Sequence, residues 1–166
     1  MSSEINLALI GASGVVGKKI ISLLEKKNVK VKNFYPLGSS SVGDKISFND
    51  QIFEIESWSN FDCASVDVAI FSAGSSVARD YAPDFVKKGV YVIDLSSEFR
   101  YEEDIPLIIP EINPQALIDA DGPILIANPN CSVFLLLLKV EKQNNLDLKL
   151  FQVILMYPIF HHLPQE

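Results

Sequence analysis

The sequence predicts an α/β fold: a Rossmann-like, doubly wound, mostly parallel sheet, with only the first strand of a second unit behind it. Three observations predict it. Short apolar runs end in small or polar residues at I-N-L-A-L-I-G, V-D-V-A-I-F-S-A-G, V-Y-V-I-D-L-S-S and P-I-L-I-A-N-P. Runs of this length and character are strands buried on both faces. Helical stretches stand between several of them, and alternating strands and helices require a parallel sheet with right-handed crossovers. The first apolar run passes directly into G-A-S-G-V-V-G, a glycine-rich turn that opens a helix.

The elements follow in order. Residues 5–10 form the first strand. In K-K-I-I-S-L-L-E-K-K-N, Ile20, Ile21, Leu23 and Leu24 share a helical face, and Asn28 is the stop. V-K-V-K-N-F-Y-P-L (29–37) alternates and reads as a second strand, and S-S-S-V-G-D is a loop. I-S-F and Q-I-F-E-I-E are short strands, paired as a hairpin around Asn49-Asp50. A strand at 66–74 leads to a helix at 75–89, closed by Gly89 and carrying Pro83 as an internal break or restart. The next strand is 90–97, and P-L-I-I-P-E-I-N-P is extended because proline restricts the residue before it. A strand at 123–129, a helix from the second cysteine to Asn144 and a strand at 148–158 complete the pattern. The final I-F-H-H-L-P-Q-E has none.

A chain of 166 residues suits one domain, or one and a fragment. The division expected is a nucleotide-binding domain at 1–130 and the start of a catalytic and dimerisation domain at 131–166. Hydrophobic residues make up 48% and charged residues 21%, the balance of a soluble globular protein. The net charge of −7 is spread without a basic stripe, which argues against nucleic acid and anionic membrane as partners. No basic leader is visible and no apolar run approaches the roughly 18 residues of a membrane span. Cys63 and Cys131 make neither a metal-ligand spacing nor a disulfide framework, so a reducing, cytoplasmic setting without a metal is expected.

In a sheet of this kind ligands sit beyond the carboxyl ends of the strands. Gly11 to Gly17, Ser72-Ala73-Gly74, Ser96-Ser97 and Asn128 to Cys131 are therefore expected on one rim. Gly11, Gly14 and Gly17 let the backbone turn tightly and let a pyrophosphate approach the amides at a helix N-terminus. The same spacing also serves a plain strand-to-helix turn. The second strand ends at Y-P-L-G-S-S-S without the acid that clasps a ribose diol. Ser39, Ser40 and Ser41, helped by Lys45, favour NADP over NAD, with NAD still possible; a plain serine turn is the alternative.

Cys131 follows A-N-P-N and opens a helix, where unpaired amides stabilise a thiolate. A thiolate attacks carbonyl carbon, and Asn130 can donate to the oxyanion that forms. A buried structural cysteine is the other reading. Cys63, after F-D in a loop, reads as structural. A reactive cysteine on the rim of a nicotinamide site suggests an aldehyde dehydrogenase or acyl-phosphate reductase.

G-A-S-G-V-V-G, F-S-A-G, I-D-L-S-S-E-F-R, P-E-I-N-P and A-N-P-N-C-S, in this order, resemble aspartate-semialdehyde dehydrogenase over residues 5–150. N-acetyl-glutamyl-phosphate reductase and glyceraldehyde-3-phosphate dehydrogenase differ around the cysteine. The resemblance implies NADP-dependent, reversible reduction of L-aspartyl 4-phosphate to L-aspartate 4-semialdehyde and phosphate through a cysteine thioester and thiohemiacetal. That step leads toward lysine (by way of diaminopimelate), threonine and methionine. It further implies Cys131 as nucleophile, Asn130 at the thioester oxygen or phosphate, and Arg100 and Asn113 at the phosphate. Gly11, Ser13, Gly14, Val15, Val16, Gly17, Ser39, Ser40, Ser41, Ser72, Ala73 and Gly74 would hold the cofactor. Read without the resemblance, Arg100 is either an oxyanion ligand or half of a surface ion pair with Glu98 or Glu103.

Three departures from the family pattern stand out. The serine loop lacks the arginine that commonly meets the 2′-phosphate, and Leu95 stands where asparagine is frequent. The family's downstream glutamine, arginine and histidine have no counterpart, since His161 and His162 match no motif. The chain therefore reads as truncated; the resemblance implies a homodimer for the full-length family, with the dimer interface supplied by the missing half. The alternative function is a catalytically inactive remnant or an NADP-binding module.

Overall fold

The computed structural model describes residues 4–109, 113–118 and 122–130. Within them, β1 (Ile5–Ile10), β2 (Val31–Gly38), β5 (Glu56–Ser57), β6 (Val68–Phe71), β7 (Tyr91–Asp94) and β8 (Leu125–Ala127) form one six-stranded sheet. Its order is β5-β2-β1-β6-β7-β8, and every pairing is parallel. Helix α1 (Val15–Lys26) connects β1 to β2, and α2 (Ser75–Lys87) connects β6 to β7. The expected doubly wound sheet is present. The helix from Cys131 and the strand at 148–158 lie outside the described residues.

Strand periodicity divides the core into two layers. Leu7, Leu9, Val68, Ile70, Ile93 and Ile126 pack on one face with Ile21 and Leu24 of α1. Ala8, Ile10, Ala69, Phe71, Val92 and Leu125 pack on the other with Ala78, Ala82 and Phe85 of α2. Alternate residues of one strand go to opposite faces, so a helix on each face can bury every strand residue.

The helix ends follow from single residues. Asn28 takes the left-handed conformation (φ 52°) just after α1, as its role as a stop requires. Gly89 does the same after α2 at φ 89°. Pro83, expected to break or restart α2, does neither: the helix runs unbroken through it. Proline removes one hydrogen bond to the carbonyl of Arg79 and costs about 3 kcal/mol in an unsupported helix. Burial of Ala78, Ala82 and Phe85 against the sheet outweighs that loss.

The expected hairpin is β3 (Lys45–Phe48) and β4 (Gln51–Glu54), an antiparallel pair apart from the main sheet. Asn49 (φ 49°) and Asp50 (φ 60°) form its two-residue turn, both left-handed, as hairpin twist demands. Phe34 of β2 packs against Phe48 with the rings tilted and meets Phe53 edge-on, with centroids 4.6 and 5.4 Å away. Glu25 accepts the Asn49 amide at 2.9 Å, which ties the turn to α1. The stretch Q-I-F-E-I-E is not one strand: buried Ile55 separates β4 from β5, and β5 joins the main sheet.

Residues 106–108 are extended, as expected, and run beside β8 through a parallel bridge from Leu107 to Ala127. A four-residue helix, α3 (Gln115–Ile118), follows Pro114 and was not expected from the sequence. Among the described residues no helix is long and apolar enough to cross a membrane, and no cluster of three metal-ligating side chains occurs.

Candidate active-site rim

Because all six strands are parallel, their carboxyl ends share one edge. Winding reverses between β1 and β6: the crossover from β1 goes to β2 on one side, and β6 and β7 lie on the other. This is the switch point where an α/β sheet opens a crevice. The glycine loop leaves β1 on one side of it, and Ser72-Ala73-Gly74 leaves β6 on the other.

The two lips touch at Gly11, which is left-handed at φ 89°. A Cβ there would lie 2.9 Å from the Ser72 carbonyl carbon and 3.0 Å from the Ala73 nitrogen. The Ser72 hydroxyl donates to the Ile10 carbonyl at 2.8 Å, so it pins the second lip to the first. Gly11 and Ala12 both donate their amides to the Leu37 carbonyl, at 2.8 and 3.2 Å, which sets the loop against the end of β2. Gly14 caps α1 without a side-chain hydrogen bond. The first-turn amides of Val15, Val16 and Gly17 have no intrahelical acceptor. Val15 is 90% exposed and Val16 51%, whereas Gly17 is buried. A Cβ on Gly74 would meet nothing within 4 Å. A bare helix N-terminus, open space on the opposite lip and close backbone approach fit a dinucleotide pyrophosphate.

The three serines of the loop after β2 are not equivalent. Ser39 and Ser40 are exposed. Ser41 is only 9% exposed, and its hydroxyl lies 2.7 Å from that of Ser13 in the glycine loop. Lys45 is exposed on β3, opposite Glu54 in the hairpin register.

The far end of the rim is organised by β7. Asp94 is fully buried, accepting the Ser96 amide at 2.9 Å and the Ser96 hydroxyl at 2.7 Å. Its own carbonyl accepts the Asn128 amide at 2.9 Å. Ser96 in turn accepts the Glu98 amide at 3.1 Å. Arg100 donates its Nε to the Asn128 carbonyl at 2.8 Å and an Nη2 hydrogen to the Leu95 carbonyl at 3.2 Å. One of its five N–H groups therefore braces the chain at Asn128 and a second the chain at Leu95. The ion pair with Glu98 or Glu103 does not form: Arg79 of α2 takes Glu98 in a two-pronged contact, Nη2 to Oε2 at 2.8 Å. That contact holds Glu98 below its usual carboxylate range. Leu95 contributes its backbone to this corner, so its departure from asparagine leaves the Arg100 contact intact.

Burial pushes the Asp94 carboxyl above its usual range, and the Ser96 bonds and the Arg100 charge oppose this only in part. A carboxyl that holds its proton more tightly when folded favours folding while protonated. That contribution is lost as pH rises from the ordinary aspartate range through the raised value. Each tenfold change in proton affinity is worth about 1.4 kcal/mol. Asp94→Asn lacks the titration, so wild-type stability is expected to fall relative to the variant from about pH 4 towards neutrality. Paired thermal melts across that range check it; parallel curves would contradict the assignment.

Asn113 closes its own loop, accepting the Ile109 amide at 2.7 Å and donating to the Leu107 carbonyl at 2.8 Å. Asn130 is exposed at the end of the described chain, and Cys131 lies outside the described residues. Cys63 is buried in a short 3-10 turn, as a structural cysteine would be. The sequence reading missed Asp94 and the Arg79–Glu98 clasp. A lone acid at the end of an apolar strand was the available signal for Asp94.

Comparison with known proteins matches residues 6–120 to the family described as semialdehyde dehydrogenase, NAD binding domain. Aspartate-semialdehyde dehydrogenase of Shewanella violacea is 43% identical over 142 residues, covering 85% of this chain and 42% of that protein. The Legionella pneumophila enzyme is 44% identical over 133 residues, covering 80% and 38%. Among solved structures, aspartate semialdehyde dehydrogenase II of Vibrio cholerae, complexed with ASA, superposes with a TM-score of 0.80 at 35% identity. It covers 86% of this chain and 47% of that one. The chain thus spans less than half the length of the relatives it matches. A parallel sheet with its glycine loop at the switch point, matched across that stretch, places this chain in the semialdehyde dehydrogenase family, whose NAD-binding domain it carries.

Proposed function

We propose that this chain is the nucleotide-binding half of an NADP-dependent aspartate-semialdehyde dehydrogenase with Cys131 as its nucleophile. The observation that carries the reading is the shared rim: the glycine loop, the Ser72–Gly74 lip and the Arg100–Asn128 corner all stand at the carboxyl edge of one parallel sheet. The absence of an acid at the end of β2, where Gly38 leads into Ser39 and Ser40, supports NADP over NAD. When bound, the nicotinamide supplies the reducing equivalent. The chain's own residues do the rest. The Cys131 thiolate attacks the acyl carbon of aspartyl phosphate, and phosphate leaves as the thioester forms. Asn130 donates to the acyl oxygen as charge develops there. Arg100, braced through Nε and Nη2, presents its remaining N–H groups to phosphate, because no described carboxylate pairs with it. Asn113 shapes the loop alongside.

The test is acylation. The full chain, saturated with NADPH analogue and mixed with aspartyl phosphate, is expected to gain one aspartyl group at Cys131, seen by intact mass and removed by hydroxylamine. Cys131→Ser should gain none. A chain that binds nucleotide but never acylates would instead be the binding module or inactive remnant.

A further inference from the structure

We infer that Arg79 governs anion binding at Arg100 from outside the site: by clasping Glu98 it withholds from Arg100 a carboxylate that would otherwise compete with phosphate. Arg79 is then a positioning residue, acting through Glu98 and touching neither phosphate nor cofactor. The inference rests on the reading of Arg100 as a phosphate ligand.

The sequence holds two arginines, and both serve this corner. Arg79, on α2, grips Glu98 with two prongs, Nε to Oε1 and Nη2 to Oε2. The Glu98 side chain is only 18% exposed. A carboxylate so far withdrawn from water is costly to leave without a cation. Arg79 meets that need and keeps Glu98 ionised. The other cations of α2 and its cap, Lys87 and Lys88, stand at the far end of the helix, on Asp84 and Asp62. Arg100 is two residues from Glu98 in the same turn, and the two charges act in opposite senses on the Asp94 carboxyl. Arg100 is therefore the cation to which a released Glu98 would turn. Glu102, Glu103 and Asp104 also follow closely, but they are exposed, and a carboxylate in water gains little from a partner.

The turn is fastened without Arg79. The Ser75 hydroxyl, at the start of α2, lies 3.2 Å from that of Ser97. Phe99 is buried in the core layer that holds Ala78 and Ala82. Asp94 and Ser96 hold the backbone through Glu98, and Arg100 rests on the carbonyls of Asn128 and Leu95. Replacing Arg79 leaves all of these contacts in place, so what changes is charge. A released Glu98 opposes an anion at Arg100 twice: it occupies guanidinium N–H groups, and it repels phosphate.

Having two arginines makes the test direct. The full chain is treated with phenylglyoxal in rising inorganic phosphate, and modification of Arg100 is followed by peptide mass. The variants are Arg79→Gln, Arg79→Lys, Glu98→Gln and Arg79→Gln/Glu98→Gln, with thermal melts to confirm folding. The phosphate needed to half-protect Arg100 is expected to rise about fivefold in Arg79→Gln. It should return to within about twofold of wild type in the double variant, and Arg79→Lys, which keeps the cation, should stay near wild type. Without phosphate, Arg100 should react more slowly in Arg79→Gln than in the double variant, because a paired carboxylate suppresses the neutral guanidine that reacts. A double variant no better than Arg79→Gln would make Arg79 a structural staple. Arg79→Gln unchanged in both readings would mean that Glu98 does not turn to Arg100. Either result overturns the inference and leaves Arg100 as the phosphate ligand. A wild-type chain that phosphate does not protect overturns the phosphate reading and the inference with it. If Arg79→Gln does not fold, Glu98→Gln decides: it breaks the clasp and leaves no carboxylate, so it should bind phosphate as wild type does, and a loss would again mark a staple.

Discussion

Gly17→Ala is expected to lower stability by about 3 kcal/mol and to remove measurable nucleotide binding. An alanine in the first turn of a helix would ordinarily stabilise it by up to about 1 kcal/mol over glycine. Here the surroundings reverse that sign. A Cβ on Gly17 would lie 2.3 Å from the Gly11 carbonyl oxygen and 2.8 Å from that of Ala12. Both neighbours are backbone, and both residues are fixed by hydrogen bonds that their amides donate to the Leu37 carbonyl. Relief requires either moving α1 off the sheet, which exposes Ile21 and Leu24, or opening the loop that would hold the pyrophosphate. Gly14 is the control. Its added Cβ would come no closer than 3.3 Å to the Gly11 carbonyl oxygen, and Gly14→Ala should stay within about 1 kcal/mol of wild type. A melt in which Gly17→Ala is as stable as Gly14→Ala would contradict this account of the turn.

That contrast shows what the sequence makes legible. The spacing of Gly11, Gly14 and Gly17 announces a turn between a strand and a helix, but not which glycine is irreplaceable for packing. Asn28, Gly89 and Asn49-Asp50 were readable because each meets a local need for left-handed backbone. Strand identity was readable from apolar runs, while strand ends were not. The expected strand at 66–74 stops at Phe71, because Ser72 turns its hydroxyl onto Ile10 and the chain leaves the ladder to form the rim. The features missed are all consequences of contact across long sequence distances. Pro83 survives inside α2 because burial on the sheet overrides a local rule. Ser41 and Asp94 look like ordinary loop and strand-end polar residues until the fold encloses them. Arg100 was found by resemblance, yet its bracing of the Asn128 carbonyl depends on β7 and β8 being neighbours.

The two cysteines of the folded chain are expected to differ in alkylation rate by two orders of magnitude or more at neutral pH, with Cys131 the fast one. The slow one is explained by its surroundings. Cys63 is 2% exposed in a 3-10 turn capped by Asp62, which accepts the Ala64 amide. Burial pushes its thiol upward, and the nearby Lys88 only partly offsets that. Both effects suppress the thiolate, the form that reacts. Access adds a further barrier: a local opening of about 3 kcal/mol slows labelling on the order of 100-fold. Cys131, proposed as the nucleophile, should have neither restraint. Iodoacetamide at pH 7 should therefore label one equivalent quickly, mapped by peptide mass to Cys131, and the second only when denaturant is added. Nucleotide should change the fast phase and leave the slow one alone, since Cys131 is the proposed nucleophile of the nucleotide site and Cys63 has no part in it. Equal rates in a chain shown to be folded would overturn the proposed nucleophile, because a cysteine no more reactive than a buried structural thiol has no thiolate to offer an acyl phosphate.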